Sequence, residues 1–150
     1  VEEDAQSLTA RLAELGAETL SEAVAALAAG TAQRMPQDES RQTYASMLSR
    51  EMSPVDWTRS AHEIACQVRG LIPWPCAATD VIGGAPIKLF SVRETGEETA
   101  ARPGTIAAAG KQGIDIACGD GRLLRILELQ AQGGKRMTAA AYLLGHPIQC

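Results

Sequence analysis

The clearest alternation of apolar and polar positions lies in residues 111–137, KQGIDIACGDGRLLRILELQAQGGKRM. Apolar side chains at every second position from Ile114 to Cys118 predict a strand, and a second apolar run follows from Leu123 to Leu129. Between them, Gly119-Asp120-Gly121 predicts a tight turn, because Asp-Gly and Gly-Asp pairs accept the positive φ angles of two-residue hairpins. The stretch is therefore predicted to be an antiparallel hairpin. Its second strand is apolar on both faces, which indicates burial inside a small barrel or between a sheet and a helix.

Three further strands are predicted before this hairpin. Ala77–Ile82 and Pro86–Val92 flank a Gly-Gly turn signal, and Thr105–Ala109 leads into the hairpin through a second glycine-containing turn. The polar, acidic segment Arg93–Arg102 is expected to be a loop. About five strands of this length are typical of a small closed or half-closed β-barrel of the OB type.

Two capping signals predict helices around these strands. Ser60 and Glu63 have the S-x-x-E spacing of a capping box, and the apolar stripe after them ends at Gly70. Thr138 can cap a short final helix, Ala139–Leu144. The predicted fold class is α+β: an OB-like small β-barrel of about five or six strands with a flanking helix, preceded by short N-terminal helices and a linker.

The first thirty residues have apolar side chains at helical spacing but no core of their own. These side chains are Leu8, Leu12 and Leu15, followed by Leu20, Val24 and Leu27. Gly16 lies between the two groups, so two short helices are predicted, and their narrow stripes should pack against something larger. Pro36 lies among polar residues without periodicity, which is typical of a linker. The predicted organisation is helices over residues 1–30, a linker over 31–55, and a helix plus OB-like domain over 56–150.

Composition and charge refine this picture. Hydrophobic residues make up 45% of the chain but aromatic residues only 3%, so the core must be built mainly from aliphatic side chains. Residues 1–40 hold eight acidic and two basic side chains, which leaves twelve basic and ten acidic ones in the remainder. The net charge of −4 is thus set by the N-terminal segment, and the rest is mildly basic.

Cysteine spacing and hydropathy suggest a location for the chain. The four cysteines show no CxxC spacing and no dense disulfide pattern, which favours reduced thiols in the cytoplasm. Every apolar run is interrupted by a charged residue, glycine or proline before it reaches the length of a membrane span. We therefore expect a cytoplasmic chain with no membrane partner.

The sequence does not provide a complete active site. His62 and Glu63 begin an HExxH-like run, but Cys66 stands where a second histidine would be needed to bind zinc. Lys135 follows two glycines, yet the other positions of a Walker A phosphate loop do not match. We expect no catalytic residue and no metal site in this chain.

Six basic side chains lie on the strands and turns of the predicted β-domain. They are Lys88, Lys111, Arg122, Arg125, Lys135 and Arg136. On composition alone an ordinary solvated face is favoured. Their grouping on one β-unit supports the alternative, which is a surface that binds nucleic-acid phosphates.

A series of short motifs runs in a defined order over essentially the whole chain. The motifs are QDES, Tyr44-Ala45, Val55-Asp56-Trp57, Ser60-Ala61, Arg69-Gly70, Pro73-Trp74-Pro75, Ile87-Lys88, Pro103-Gly104-Thr105-Ile106, Lys111-Gln112-Gly113-Ile114, Gly119-Asp120-Gly121, Leu129-Gln130 and Gly134-Lys135-Arg136-Met137. Each motif is weak by itself, but in this order they specifically resemble the methionyl-tRNA formyltransferases.

The resemblance implies a truncated chain. In that family a Rossmann-like catalytic domain uses 10-formyltetrahydrofolate, and a linker joins it to an OB-like domain that helps to bind tRNA. This chain is similar to the tail of the first domain, the linker and the OB-like domain, and no matching position is catalytic. The implied function is phosphate-mediated binding of initiator tRNA without catalysis, the folate being the cosubstrate of the parent enzyme and no cofactor being held here.

Partners and alternatives follow from the same resemblance. The exposed N-terminal helices would pack against the missing catalytic domain, or they would form a dimer. The domain could instead belong to a related formyltransferase that acts on a small amine such as an aminosugar, or it could be a purely structural packing module. Lys135-Arg136-Met137, following Lys111-Gln112-Gly113, favours the tRNA enzyme.

Overall fold

The computed structural model describes residues 3–148 and separates the chain into two compact units, Val1–Met47 and Leu48–Cys150. The boundary falls inside the segment that the sequence predicts to be a linker. No helix in the described part of the chain is long and apolar enough to cross a membrane.

Between residues 3 and 47, the first unit contains one long helix, α1 (Ala5–Ala28), and a single 3₁₀ turn, Glu39–Arg41. Asp4 and Ser7 form a capping box at the start of α1, and Gly30 has a positive φ of 70° just beyond its end. The prediction of two short helices is wrong. Gly16 lies inside the helix, because the alanine, leucine and glutamate residues around it offset a cost of about 1 kcal/mol for an internal glycine.

The described part of the second unit, residues 48–148, contains two α-helices and six strands. In chain order these are α2 (Ala61–Gly70), β1 (Ala77–Thr79), β2 (Ile87–Glu98), β3 (Ile106–Gly110), β4 (Gly113–Ala117), β5 (Arg122–Gln130), β6 (Met137–Thr138) and α3 (Ala139–Gly145). A 3₁₀ turn, Arg50–Met52, precedes them. The capped helices at Ser60 and Thr138 and the β4–β5 hairpin are confirmed.

The strands form one antiparallel sheet in the order β1-β2-β5-β4-β3. Strand β5 is central: Ile126 pairs with Val92 on one side and with Ile114 on the other, and β6 continues the β4 side by pairing with the end of β5. The α+β class with about six strands is therefore confirmed. The sheet is open, since no pairing between the described residues joins β1 to β3.

Strand β2 is longer than its sequence predicts. It continues to Glu98, through the segment expected to be an acidic loop, and Arg93 pairs with Arg125 of β5. The prediction of a loop is wrong there, because β5 supplies a long row of backbone hydrogen-bond partners that local sequence cannot reveal. Glu98, the last residue of β2, pairs with Arg122, the first residue of β5.

The core lies between α2 and one face of the sheet. Ile64 and Val68 of α2 are fully buried, as are Leu89 and Ile126 of the sheet. The expected aliphatic core is confirmed, because most of the other buried side chains are also Ala, Ile, Leu or Val. The opposite face of the sheet, away from α2, is therefore where polar side chains can be presented to a partner.

The N-terminal end of α2 is attached to the turn of the β4–β5 hairpin. Asp120 Oδ2 accepts a hydrogen bond of 3.2 Å from the Ala61 amide, and the Gly119 amide donates one of 2.8 Å to the Arg59 carbonyl. In the capping box, hydrogen bonds from Ser60 and from the Arg59 guanidinium lower the pKa of Glu63 to about 2. The helix and the hairpin that the sequence predicts separately are thus held as one structural piece.

Candidate nucleic-acid interface

The register of the sheet places several polar side chains on the face opposite to α2. Arg93, Arg125 and Asp115 form one row across β2, β5 and β4, while the neighbouring row, which contains Ile126, faces the core. Side chains of directly paired residues lie on the same face of a sheet. This face, called the outer face below, carries Arg125 and its cross-strand neighbour Arg93.

Arg125 is the most buried of the predicted binding residues. Its Nε and Nη2 donate to the two carboxylate oxygens of Asp115 at 2.6 and 2.7 Å, and its Nη1 donates to Gln112 Oε1 at 2.7 Å. The side chains of Arg125 and Asp115 are only 14% and 8% exposed. The hydrogen bonds to Asp115 raise the pKa of Arg125, so the guanidinium stays charged, yet that charge is neutralised by its partner. Arg125 therefore acts mainly as a structural element of the outer face.

Arg136 is partly committed to another carboxylate. Its guanidinium pairs with Glu128, and its Cζ lies 4.7 Å from the centroid of the Phe90 ring. The Arg136 side chain is nevertheless 52% exposed. One edge of this guanidinium can therefore meet a phosphate in solution.

Three predicted lysines are exposed, and none makes an ion pair with another described residue. They are Lys88 in β2, Lys111 in the turn between β3 and β4, and Lys135 in the loop between β5 and β6. Lys88 pairs with Gln130, whose side-chain amide donates to the Gly134 carbonyl at 2.8 Å. The structure thus places Lys88 and the loop of Lys135 side by side at the end of β5.

The turn that carries Lys111 belongs to the same end of the sheet. Strand β4 starts at Gly113, close to the position where β6 takes over the pairing with β5 at Glu128. Lys88 also borders a half-open groove of about 400 Å³ with Gln130 and Gly133. We name Lys88, Lys111, Lys135 and Arg136 together the basic end.

Arg122 does not join the basic end. It stands at the first position of β5, eight residues before Gln130, which separates the two by roughly 26 Å along an extended strand. Its neighbours there are acidic: Glu98 is its cross-strand partner, and Asp120 accepts a hydrogen bond from its backbone amide. The structure therefore brings four of the six predicted residues together, holds Arg125 in an ion pair near the centre of β5, and places Arg122 apart.

Arg93 is a candidate binding residue that the sequence analysis did not identify. It is exposed, it lies directly beside Arg125 on the outer face, and it has no ion-pair partner among the described residues. Only polar residues and one glycine follow Val92 up to Thr99, so no alternation of apolar and polar residues marks this segment as a strand. Its pairing with β5 extends the strand. Arg93 extends the positive surface from the basic end towards the middle of the sheet.

The described residues hold no candidate metal site. Within residues 3–148, no group of three His, Cys, Asp or Glu side chains could hold a metal ion. What the outer face can do is present fixed positive charges, and an ordered β-surface with such charges suits a polyanion more than a small substrate.

Comparison with known proteins identifies the class of domain. Residues 47–147 match the family described as "Formyl transferase, C-terminal domain", and this range nearly coincides with the second compact unit. The chain belongs to this family.

Similar full-length proteins are more specific. The methionyl-tRNA formyltransferase of Trichlorobacter lovleyi is 47% identical over 147 residues, which cover 98% of this chain and 45% of that protein. The enzyme of the same name from Geobacter sulfurreducens is 45% identical over 148 residues, 99% of this chain and again 45% of the relative. The resemblance predicted from the motifs is thus confirmed, and the chain spans about 45% of the length of these relatives.

The fold also occurs in a solved structure. A crystal structure of a HypX variant from Aquifex aeolicus matches 84% of this chain and 23% of its own, with a TM-score of 0.60 and 22% sequence identity. At that identity the likeness shows a shared fold.

Proposed function

We propose that this chain is the tRNA-binding accessory part of a methionyl-tRNA formyltransferase. The observation that carries the proposal is the basic end, in a chain that is 47% identical to the protein of that name from Trichlorobacter lovleyi. The parent enzyme would transfer a formyl group from 10-formyltetrahydrofolate to the α-amine of methionine on initiator tRNA. The present chain would contribute affinity and orientation but no catalytic group, and we expect it to show no formyl transfer on its own.

The charges support a weak, sequence-independent mode of binding. The second unit has only one basic side chain more than acidic ones, so its attraction for RNA depends on where the cations lie. Lysines at strand ends can meet phosphates of a large polyanion without reading bases. Such contacts release counterions, and binding should therefore weaken steeply as salt rises.

Reversing the charges of the basic end tests this proposal. The triple variant Lys88→Glu, Lys111→Glu, Lys135→Glu should bind tRNA more than tenfold more weakly at low salt, and the slope of log K against log salt should decrease by about 2 to 3. Fluorescence titration of initiator tRNA at several salt concentrations gives both quantities.

The matched control reverses three exposed arginines elsewhere in the second unit: Arg50→Glu, Arg102→Glu, Arg122→Glu. Its net charge is the same as that of the first variant. We expect a clearly smaller loss of affinity. Equal losses in both triple variants would show that only the net charge matters and would contradict a localised binding surface.

A structural packing module is the second candidate, and one observation favours it. Two of the six predicted cations, Arg125 and Arg136, are paired with Asp115 and Glu128, as they would be on a face without a nucleic-acid partner. In that case the lysine triple variant of the parent enzyme would retain its kcat/KM for tRNA. A large loss would exclude this alternative.

We further propose that the catalytic domain of the parent enzyme covers the apolar stripe of α1. No residue of α1 is buried, and its apolar side chains are up to 65% exposed, as at Leu20. A shallow groove along this helix is lined by Leu12, Leu15 and Leu20, among others. The alternative occupant is a second copy of the chain.

Amide exchange and sedimentation distinguish these occupants. If the catalytic domain is the partner, the 150-residue chain should be monomeric, and amides of α1 should exchange much faster than those of Ile114–Cys118. A dimer that dissociates on Leu12→Glu but persists on Glu18→Gln would contradict the proposal and identify a second copy as the partner.

A further inference from the structure

The exposed side of α2 holds a thiol beside a base. Cys66 is exposed, and its Sγ lies 3.6 Å from Nε2 of His62, one helical turn earlier. The other ring nitrogen, Nδ1, lies 3.0 Å from a carboxylate oxygen of Glu94. Arg69 completes the group, with Nη2 donating to Cys66 Sγ at 3.2 Å. Thiol, imidazole and carboxylate are thus connected in series, with a guanidinium on the sulfur.

The chemistry of these groups fixes the direction of the hydrogen bonds. An ionised carboxylate can only accept, so the proton of the neutral His62 ring belongs on Nδ1, facing Glu94. The lone pair on Nε2 then accepts the proton of the Cys66 thiol. The Arg69 guanidinium can only donate, and it stabilises negative charge on the sulfur. The imidazole is thus placed to take the thiol proton as the sulfur reacts, and the thiolate is the nucleophilic form of cysteine.

The fold supplies this arrangement from two separate elements. The opposite side of α2 is anchored in the core by Ile64 and Val68, both fully buried. Glu94 comes from β2, where it pairs with Leu124 in the sheet. The positions of the carboxylate and of the helix that carries the thiol are therefore set by tertiary structure.

The surroundings fit a small reagent better than an enclosed substrate. The side chains of His62 and Glu94 are 70% and 39% exposed, so solute reaches the sulfur from open solvent. The other two described thiols differ sharply. Cys76 and Cys118 are buried, and burial raises the pKa of the Cys118 thiol to about 11. Among the described cysteines, Cys66 alone combines exposure with an imidazole and a guanidinium beside its sulfur.

We propose that Cys66 is a modification site that exchanges with a small-molecule disulfide, assisted by His62 and Arg69 and with Glu94 orienting the imidazole. The thiolate attacks one sulfur of the disulfide, the sulfur–sulfur bond of the reagent breaks, and a mixed disulfide forms on Cys66. The leaving thiolate takes up the proton that His62 accepted from Cys66. The cysteine sulfur is oxidised and the departing thiol is reduced, so no further oxidant is required.

The rate of reaction with dithiodipyridine, a neutral disulfide, tests this proposal. Cys150 lies outside the described residues and is replaced by serine in every protein. We expect Cys66 in the folded chain to react about tenfold faster than in the urea-unfolded chain. The substitutions His62→Gln and Glu94→Gln should each lower the rate at which Cys66 of the folded protein reacts. For His62→Gln we expect a decrease of roughly tenfold. Mass spectrometry locates the adduct, and Cys66→Ser should abolish the rapid phase.

The matched control is His146→Gln, which removes the second histidine of the chain and should leave the rate unchanged. Circular dichroism verifies that each variant is folded. If His62→Gln does not fold, the reaction rate of Glu94→Gln serves as the test instead. A rate within about twofold of the parent in the folded His62 or Glu94 variant would overturn the proposal. A rapid phase that survives in Cys66→Ser would do the same.

Discussion

The Gly119→Ala variant is expected to lose about 3 kcal/mol or more of the free energy of unfolding of the second unit. A Cβ atom at this position would lie 1.6 Å from the carbonyl oxygen of Thr58 and 2.3 Å from its carbonyl carbon. Both are backbone atoms, so no side-chain rotation can relieve the contact. The turn would have to move away from the N-terminal end of α2, and the hydrogen bonds from the Gly119 and Ala61 amides would be disrupted.

Denaturant unfolding, followed by circular dichroism and by the fluorescence of the buried Trp57, gives this value. Gly110→Ala is the control, because a Cβ there meets nothing within 4 Å. Its midpoint should be nearly unchanged. If both alanine variants unfolded at the same denaturant concentration, the turn and α2 would not be in the close contact that the structure shows.

The second large effect is expected at the ion pair between Asp115 and Arg125 on the outer face. Asp115→Ala should cost about 3 kcal/mol, because it leaves the mostly buried Arg125 guanidinium without its charged partner. The double variant Asp115→Leu, Arg125→Leu should recover most of this loss, since two apolar side chains remove the unpaired charge. The same unfolding measurement, arranged as a double-mutant cycle, separates the interaction energy from the individual losses.

Glu128→Ala is the matched control for that ion pair. The pair of Glu128 and Arg136 is much more exposed, with 36% and 52% of the side chains accessible, so its loss should cost at most about 1 kcal/mol. If Asp115→Ala and Glu128→Ala lost similar amounts of unfolding free energy, the Arg125 guanidinium would have to be solvated in the Asp115→Ala variant. In that case Arg125 would be available for phosphate binding like the other cations.

Asp115 and Glu128 determine which cations of the candidate interface are neutralised by an ion pair. Arg125 and Arg136 satisfy carboxylates on neighbouring strands, whereas Lys88, Lys111 and Lys135 remain unpaired with any described residue. Our proposal therefore assigns RNA contacts chiefly to the lysines. The pairing itself would have been hard to foresee, because Asp115 and Arg125 become neighbours only through the register of the hairpin.

Local patterns were sufficient where a single segment determines its own structure. The β4–β5 hairpin follows from alternation and the Gly119-Asp120-Gly121 turn, and the capped start of α2 follows from Ser60 and Glu63. The family could also be predicted from the sequence, because its short motifs occur in the same order along the chain. Gly16 shows the limit of such signals, since an isolated glycine within a strong helical sequence does not end a helix.

The sequence by itself determined the α+β class, the main hairpin, the aliphatic core and the family. Tertiary structure alone decided the extension of β2 to Glu98, the grouping of four cations at one end, and the separation of Arg122 among carboxylates. It also brought Glu94 to the histidine and cysteine of α2. The physical reason is that strand pairing and helix docking join residues distant in sequence, and the resulting neighbours decide which charges are neutralised and which remain available to a partner.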